Sequence, residues 1–262
     1  MTKTILITGS TDGIGLLTAQ TLAAEGHTIL LHGRNAAKLA AAAKTVGGTA
    51  EQYIADLSTM AGVHALADDI RKKHSQIDVV INNAGILKAP ITVTEEGYDI
   101  RFMVNTFAPY ALTQDLMPII AKDGRVVNLS SAAQAPIDLD ALFGRKQLDD
   151  MEAYAQSKLA LTIWSREMAK EQPDGPSIIA VNPGSLLASK MVKEGFGLAG
   201  NDLSIGANIL REAALGEAFA KASGKYFDND KGQFAQPHAA ALDTALCADV
   251  MQGIKGVLTQ QH

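Results

Sequence analysis

Tyr154 and Lys158 stand four residues apart in Tyr154-Ala155-Gln156-Ser157-Lys158, where a long helical pattern opens. At that spacing the two side chains share one helix face. A phenol titrates near ~10 and is normally a poor acid–base group at neutrality. A nearby ammonium stabilises the phenolate and lowers that value. The pair therefore suits proton exchange with a carbonyl or alcohol oxygen. The same spacing alone also describes a solvated helix pair, so its surroundings matter. Upstream, Val126-Val127-Asn128-Leu129-Ser130-Ser131 reads as a strand ending in two hydroxyls.

A second group of residues points to phosphate. The first apolar run ends in Thr8-Gly9-Ser10-Thr11-Asp12-Gly13-Ile14-Gly15, and a helical pattern begins at once. Glycines permit positive φ and close backbone approach. The new helix N-terminus offers free N–H groups and a favourable dipole to a pyrophosphate. The second run ends in His32-Gly33-Arg34-Asn35. An NAD site normally carries an acid near this point for the ribose 2′-hydroxyl. Here glycine and then arginine follow, and a guanidinium suits a 2′-phosphate. The competing reading of Arg34 is a surface arginine opening a helix.

These residues need a scaffold, and the apolar pattern describes one. Short runs such as Thr4-Ile5-Leu6-Ile7, Thr28-Ile29-Leu30-Leu31 and Asp78-Val79-Val80-Ile81 alternate with alanine-rich helical stretches at residues 15–26, 36–46 and 58–73. Near-continuous apolarity marks strands buried on both faces. The β-α order predicts a single-domain, Rossmann-type doubly wound parallel sheet over residues 1–262, with helices on both faces. A Lys225-Tyr226-Phe227 run supplies a last strand. Two segments, 132–152 and 186–221, interrupt the rhythm at strand ends and read as substrate-side insertions. Asp138, Asp140, Asp149 and Asp150 in the first read as loop surface.

Composition narrows the class. The 262 residues carry a net charge of −5 and 47% hydrophobic residues, ordinary for a globular protein and without the basic surface of a nucleic-acid binder. One cysteine excludes an intramolecular disulfide and fits a reducing, cytoplasmic setting. No apolar stretch reaches the ~20 residues of a membrane helix, and the N-terminus is too soon polar for a signal peptide. The six histidines show no metal-ligand spacing, so no metal is expected.

Taken together these motifs resemble the short-chain dehydrogenase/reductase family. The likeness spans roughly residues 4–190: the Gly-x-x-x-Gly-x-Gly turn, Asn82-Asn83-Ala84-Gly85, Val104-Asn105-Thr106-Phe107, the Ser130-Ser131 strand end, Tyr-x-x-x-Lys, and Asn182-Pro183-Gly184 in order. The long gap from Ser131 to Tyr154, with the later Ser223-Gly224-Lys225-Tyr226-Phe227, resembles its retinol-dehydrogenase-like branch. The resemblance implies catalytic roles for Asn105, Ser131 (with Ser130 as fallback), Tyr154 and Lys158. It implies cofactor contacts at Gly9, Ser10, Thr11, Asp12, Gly13, Ile14, Gly15, Arg34, Asn35, Asp56, Leu57, Asn83, Ala84, Gly85, Tyr154, Lys158, Pro183 and Gly184. Asp56 would meet the adenine amino group, and Pro183-Gly184 would lie along the nicotinamide. Asp12 stands where some NADP-preferring members carry a base. The family often has a threonine beyond Pro-Gly to hold the nicotinamide amide. Here Ser185-Leu186-Leu187-Ala188-Ser189 follows, leaving backbone groups or Ser189 for that task.

The implied function is an NADPH-dependent carbonyl reductase or alcohol dehydrogenase, with NADP(H) preferred and NAD(H) as the alternative. A hydride would pass between the nicotinamide and a ketone or secondary alcohol. Tyr154 would give the proton, Ser131 would hold the oxygen, Lys158 would support the phenolate, and Asn105 would hold a water linking Lys158 to solvent. Apolar residues in the two insertions favour a lipophilic or aromatic substrate. The resemblance is compatible with a homodimer or homotetramer. A dinucleotide-sensing protein on the same fold is the rival reading, yet a sensor has no need of the tyrosine, lysine and serine.

Overall fold

In the computed structural model, residues 1–48 and 50–259 are described, with backbone alone at 194 and 196. The chain alternates as expected. Strand β1 (Thr4–Ile7) leads to α1 (Gly13–Ala24), β2 (Thr28–Gly33), α2 (Ala36–Val46), β3 (Glu51–Ile54), α3 (Met60–Lys73) and β4 (Ile77–Asn82). Next come α4 (Ile100–Phe102), a π-helical turn (Met103–Phe107) and α5 (Ala108–Leu116). Then follow β5 (Ile120–Leu129), α6 (Leu139–Leu142), α7 (Asp150–Glu171) and β6 (Ser177–Asn182). The chain closes with α8 (Lys190–Phe196), α9 (Leu203–Leu215), β7 (Tyr226–Asp228), β8 (Gln233–Ala235) and α10 (Thr244–Thr259). One eight-stranded sheet runs in the order β3-β2-β1-β4-β5-β6-β7-β8. All pairings are parallel except β7 with β8.

Two-residue alternation sorts the strand side chains between two apolar layers. Leu6, Leu30, Val80, Val126 and Ile178 join the layer under α3, α5, α7 and α10. Ile5, Ile29, Leu31, Val79, Val127 and Ile179 join the layer under α1 and α9. Both faces are therefore dry, which explains the unbroken apolar runs. Polar caps start the helices: Asp12 accepts from Gly13 N–H, Asn35 from Lys38 N–H, Thr59 from Gly62 N–H and Asp149 from Glu152 N–H. Each satisfies a backbone donor that the first turn leaves free.

The segment at 186–221 departs from the sequence reading. Helix α9 is no insertion: Ile209, Leu210, Ala213 and Ala214 are buried in the second layer, and the helix packs against α1. Only its N-terminal part, about as far as α8, lines a cavity. The antiparallel β8 and the closing helix α10 are additions to the expected elements. Among the described residues no helix is long and apolar enough to cross a membrane.

One buried ion cluster joins α4 to α7. Arg101 is 1% exposed. Its Nε and Nη2 donate to the two oxygens of Asp99 at 2.9 and 2.6 Å, and its Nη1 donates to Asp150 at the start of α7. Removing one member of such a cluster strands a charge in low dielectric, at roughly 3–5 kcal/mol. Arg101→Met should therefore lower unfolding stability by about that amount in urea titrations. The double variant Asp99→Asn, Arg101→Met should recover part of it. A single variant as stable as wild type would show that the cluster contributes nothing.

Candidate active site

The ends of β1, β2, β4, β5 and β6 open into one cavity of about 980 Å³. The glycine turn after β1 forms one flank. Gly9 has φ +63°, and a Cβ there would lie 2.9 Å from the Ala84 Cα, so glycine is required on both counts. Asn83 Nδ2 donates to the carbonyls of Thr8 and Gly9 at 2.8 and 3.0 Å, and Ala84 N–H donates to Thr8 Oγ1 at 3.0 Å. The Asn83-Ala84-Gly85 segment is thus the brace of the turn. Gly9, Thr11, Asp12, Gly13, Ile14 and Gly15 line the cavity at the N-terminus of α1.

Ser10 does not. It is fully buried, and its Oγ accepts from His32 N–H at 2.9 Å. The expected cofactor contact at Ser10 is corrected: its hydroxyl ties the turn to β2. Asn35 is corrected too. Its side-chain oxygen caps α2, and it lies outside the cavity wall. Arg34 is exposed at the cavity rim, with Asp56 and Leu57 beside it in the lining. Asp56 Oδ1 accepts from Ser58 N–H at 2.9 Å, which fixes the carboxylate.

His32 was invisible to a search for metal spacing, yet it organises this end. Its Nδ1 accepts from Gly9 N–H at 3.1 Å, and its Nε2 meets the Ala55 carbonyl at 3.2 Å. That network requires the neutral tautomer with the proton on Nε2. Burial pushes its pKa down to about 4, so the ring is neutral at ordinary pH. The legible sign was its place, one residue before Gly33 at a strand end.

At the other end α7 lies across the tip of β5. Tyr154, half-buried, has its phenol beside the Ser131 side chain. Ser130 turns away into α7, 2.7 Å from Thr162 Oγ1. Of the two hydroxyls, Ser131 is the one at the phenol. Lys158 is buried, and its Nζ donates to the Leu129 carbonyl at 2.7 Å while lying 5.7 Å from the Tyr154 ring centroid. Burial raises the Tyr154 pKa, only partly offset by Ser131, so the expected lowering by Lys158 is not what governs the phenol. Gly85 fills the gap between β4 and this floor: a Cβ there would lie 3.3 Å from Lys158 Nζ and 3.2 Å from Asn105 Oδ1.

Asn105 sits in the π turn, fully buried. Its Oδ1 accepts from Ile86 N–H, and its Nδ2 donates to the Ile86 carbonyl and to Ser157 Oγ. The amide is thus taken at both ends, so the water expected at Asn105 has no place on its side chain. Pro183 and Gly184 border the same cavity after β6. Among the described residues no cluster of histidine, cysteine or carboxylates could hold a metal ion.

The sequence profile of short chain dehydrogenases matches residues 3–196. The chain belongs to that family. Human retinol dehydrogenase 13 is 31% identical to it, covering 93% of this chain and 81% of its own. Bovine retinol dehydrogenase 12 is 32% identical, covering 93% and 83%. A crystal structure of an uncharacterized protein from Mycobacterium Paratuberculosis superposes with a TM-score of 0.80 at 28% identity, over 97% of this chain and 93% of that one. A short chain dehydrogenase from Shigella flexneri, solved with NADP, gives 0.68 at 27% identity, over 87% and 97%. This short-chain dehydrogenase is thus an NAD(P)-dependent oxidoreductase of the retinol-dehydrogenase-like branch.

The buried ammonium of the enzyme has a measurable consequence. Burial lowers Lys158 from 10.5 to about 8. That difference corresponds to roughly 3 kcal/mol against the folded state below pH 8. Between pH 8 and 10.5 the unfolded chain holds more protons at this site than the folded one. Stability from this group therefore rises with pH through that window. Lys158→Met should be more stable than wild type at pH 7 by up to about 3 kcal/mol. The gap should close as pH rises from 8 to 10.5. Urea denaturation at several pH values measures it, and a gap that ignores pH would show that the ammonium is not dehydrated.

Proposed function

We propose that this enzyme is an NADPH-dependent carbonyl reductase or alcohol dehydrogenase acting on a lipophilic or aromatic ketone or secondary alcohol. The observation that carries the reading is the contact of the Tyr154 and Ser131 hydroxyls above a buried Lys158, in the same cavity as the glycine turn. The cavity's flanks fit a dinucleotide. Gly13, Ile14 and Gly15 present the first turn of α1 to a pyrophosphate, and Pro183-Gly184 stands at the Tyr154 end. When bound, the nicotinamide supplies or accepts the hydride.

The chain's own residues manage the proton and the oxygen. Burial keeps the Tyr154 phenol protonated, which suits it to donate to a carbonyl oxygen during reduction. Ser131 holds that oxygen and the phenol in one hydrogen-bonded set. Lys158 lends positive charge beneath the ring as the phenolate forms. The Asn105 backbone would place the water that passes a proton on through Lys158. Leu87, Ile91, Val93, Met151, Leu187 and Met191 surround the remaining space with apolar surface, which favours a lipophilic substrate.

Cofactor choice rests on the end of β2. A side chain at Gly33 would meet Thr11 Cγ2 at 2.5 Å, so a carboxylate there would have to displace the Thr11 side chain. Arg34 instead stands free at the rim to meet a 2′-phosphate. A hydrogen bond to a charged group contributes about 1.5–3 kcal/mol, roughly ten- to a hundredfold. Wild type should favour NADPH over NADH by at least about tenfold in kcat/KM, and Arg34→Ala should weaken NADPH far more than NADH. Steady-state kinetics with both cofactors decide this, and a wild type that prefers NADH sinks it.

Tyr154→Phe should bind NADPH normally yet lose at least ~100-fold in turnover across a panel of ketones and aldehydes. Turnover close to wild type in that variant would remove Tyr154 from the chemistry.

A further inference from the structure

The hairpin of β7 and β8 lies beyond the residues that match the family profile, and it reaches back to the site at three points. Tyr226 donates its hydroxyl hydrogen to the Ser131 carbonyl at 3.2 Å. Asn229 Nδ2 donates to the Pro183 carbonyl at 2.9 Å. Asp230 makes the densest contact: one oxygen accepts from Ser185 N–H at 2.8 Å. The other accepts from Ser185 Oγ at 2.6 Å and Asn182 Nδ2 at 2.9 Å.

What these bonds restrain is the turn after β6. Leu186 has φ +52°, the one positive value among the described residues that are not glycine. A branched side chain there stores strain of order 1–3 kcal/mol and persists only under external restraint. Two grips supply that restraint. Asp230 holds Ser185 from the hairpin side. Asn201 holds the opposite side, with Nδ2 on the Ser185 carbonyl at 3.0 Å and N–H on the Leu186 carbonyl at 2.6 Å.

We propose that Asp230 is a positioning residue, which holds the Pro183-Gly184-Ser185-Leu186 turn in the shape that receives the nicotinamide half of the dinucleotide. This inference rests on the dinucleotide reading above. Asp230 itself is outside the cavity lining, whereas Pro183, Gly184, Ser185 and Leu186 are in it, so it acts only through the turn. The carboxylate is the chemically required group. It accepts three donors and has none of its own, whereas an amide would turn an NH₂ toward Ser185 or Asn182. Burial draws the Asp230 pKa upward, but the bonds from Ser185 and Asn182 outweigh it and hold the group below the usual carboxylate range. The Ser185 hydroxyl is spent on Asp230, and Ser189 Oγ caps α8 by accepting from Val192 N–H. The turn therefore presents backbone rather than a free Ser185 hydroxyl to its ligand.

The test separates the two halves of the cofactor. NADPH and adenosine 2′,5′-bisphosphate, which lacks the nicotinamide half, are titrated by calorimetry against wild type, Asp230→Asn and Ser185→Ala. Asp230→Asn should raise the Kd for NADPH roughly tenfold, the scale of one lost bond to a charged group. Its affinity for the bisphosphate should be unchanged. Ser185→Ala, which removes one donor and leaves the carboxylate, should show the same pattern at smaller size and covers the case in which the first variant folds poorly. Equal weakening of both ligands, or no weakening of NADPH, overturns the proposal. A wild type that binds neither ligand overturns the dinucleotide reading itself, and that result is read before any variant is made.

Discussion

The hydrogen bond from the Lys158 ammonium to the Leu129 carbonyl sets how closely α7 lies over the end of β5. From that contact the rest of the site takes its spacing. One turn earlier on the helix, Tyr154 arrives at Ser131, two residues past Leu129. The bond is made where water is scarce, so a carbonyl must take the place of solvent around the charge. The helix cannot slide without leaving that charge bare. Its other anchors agree: Asp149 caps its start, Arg101 pairs with Asp150, and Trp164 is wholly buried in the core below. A helix pinned at the start, the middle and the floor can hold two hydroxyls in register without help from a ligand.

Beneath the cavity the strand ends carry polar side chains where the core would otherwise favour apolar ones. Asn82 and Asn128 are cross-strand partners, and Asn82 Nδ2 donates to Asn128 Oδ1 at 2.7 Å and to Thr113 Oγ1 at 3.1 Å. Asn128 Nδ2 passes the chain on to Ser165 Oγ at 2.8 Å. Buried amides are tolerated only when their donors are met, and then they specify a single arrangement. These amides join β4, β5, α5 and α7 just below Ser131, Tyr154 and Lys158. Asn182 extends the same habit to β6, with Asp228 and Asp230 as its acceptors.

How far this was legible follows from range. The alternation of apolar residues is local, and it placed the strands from Thr4 to Asn182 close to where they lie. Tyr154 and Lys158 were legible because helix periodicity alone puts them on one face. Ser131 against Ser130 was not, since adjacent residues at a strand end differ only in which way each side chain turns; the family likeness chose, and the contact with Tyr154 agrees. The role of Ser10 was not legible because its bond to His32 joins a turn to a strand 22 positions further along the chain. The same holds for α9, whose glycine-marked approach reads as a loop until α1 is seen to cover its apolar face. The hairpin's hold on the Pro183 turn spans about 45 residues, and no short motif announces it.

Electrostatics now connects fold and chemistry. Dehydration acts on Tyr154 and Lys158 in opposite senses: it raises the phenol and lowers the ammonium. Each is thereby pushed toward its neutral form, and the two values move apart, the phenol above its ordinary value and the ammonium down to about 8. Transfer of the phenol proton to a neutral Lys158 is therefore uphill, and the phenol stays protonated at rest. The lysine remains charged for the most part at pH 7, because about 8 is still above that pH. It can therefore favour a phenolate when one forms, while burial protects the phenol at rest. Removing the dehydration would strengthen the fold and bring the two pKa values back together. The same closed floor that costs stability is what keeps the Tyr154 phenol protonated at neutral pH.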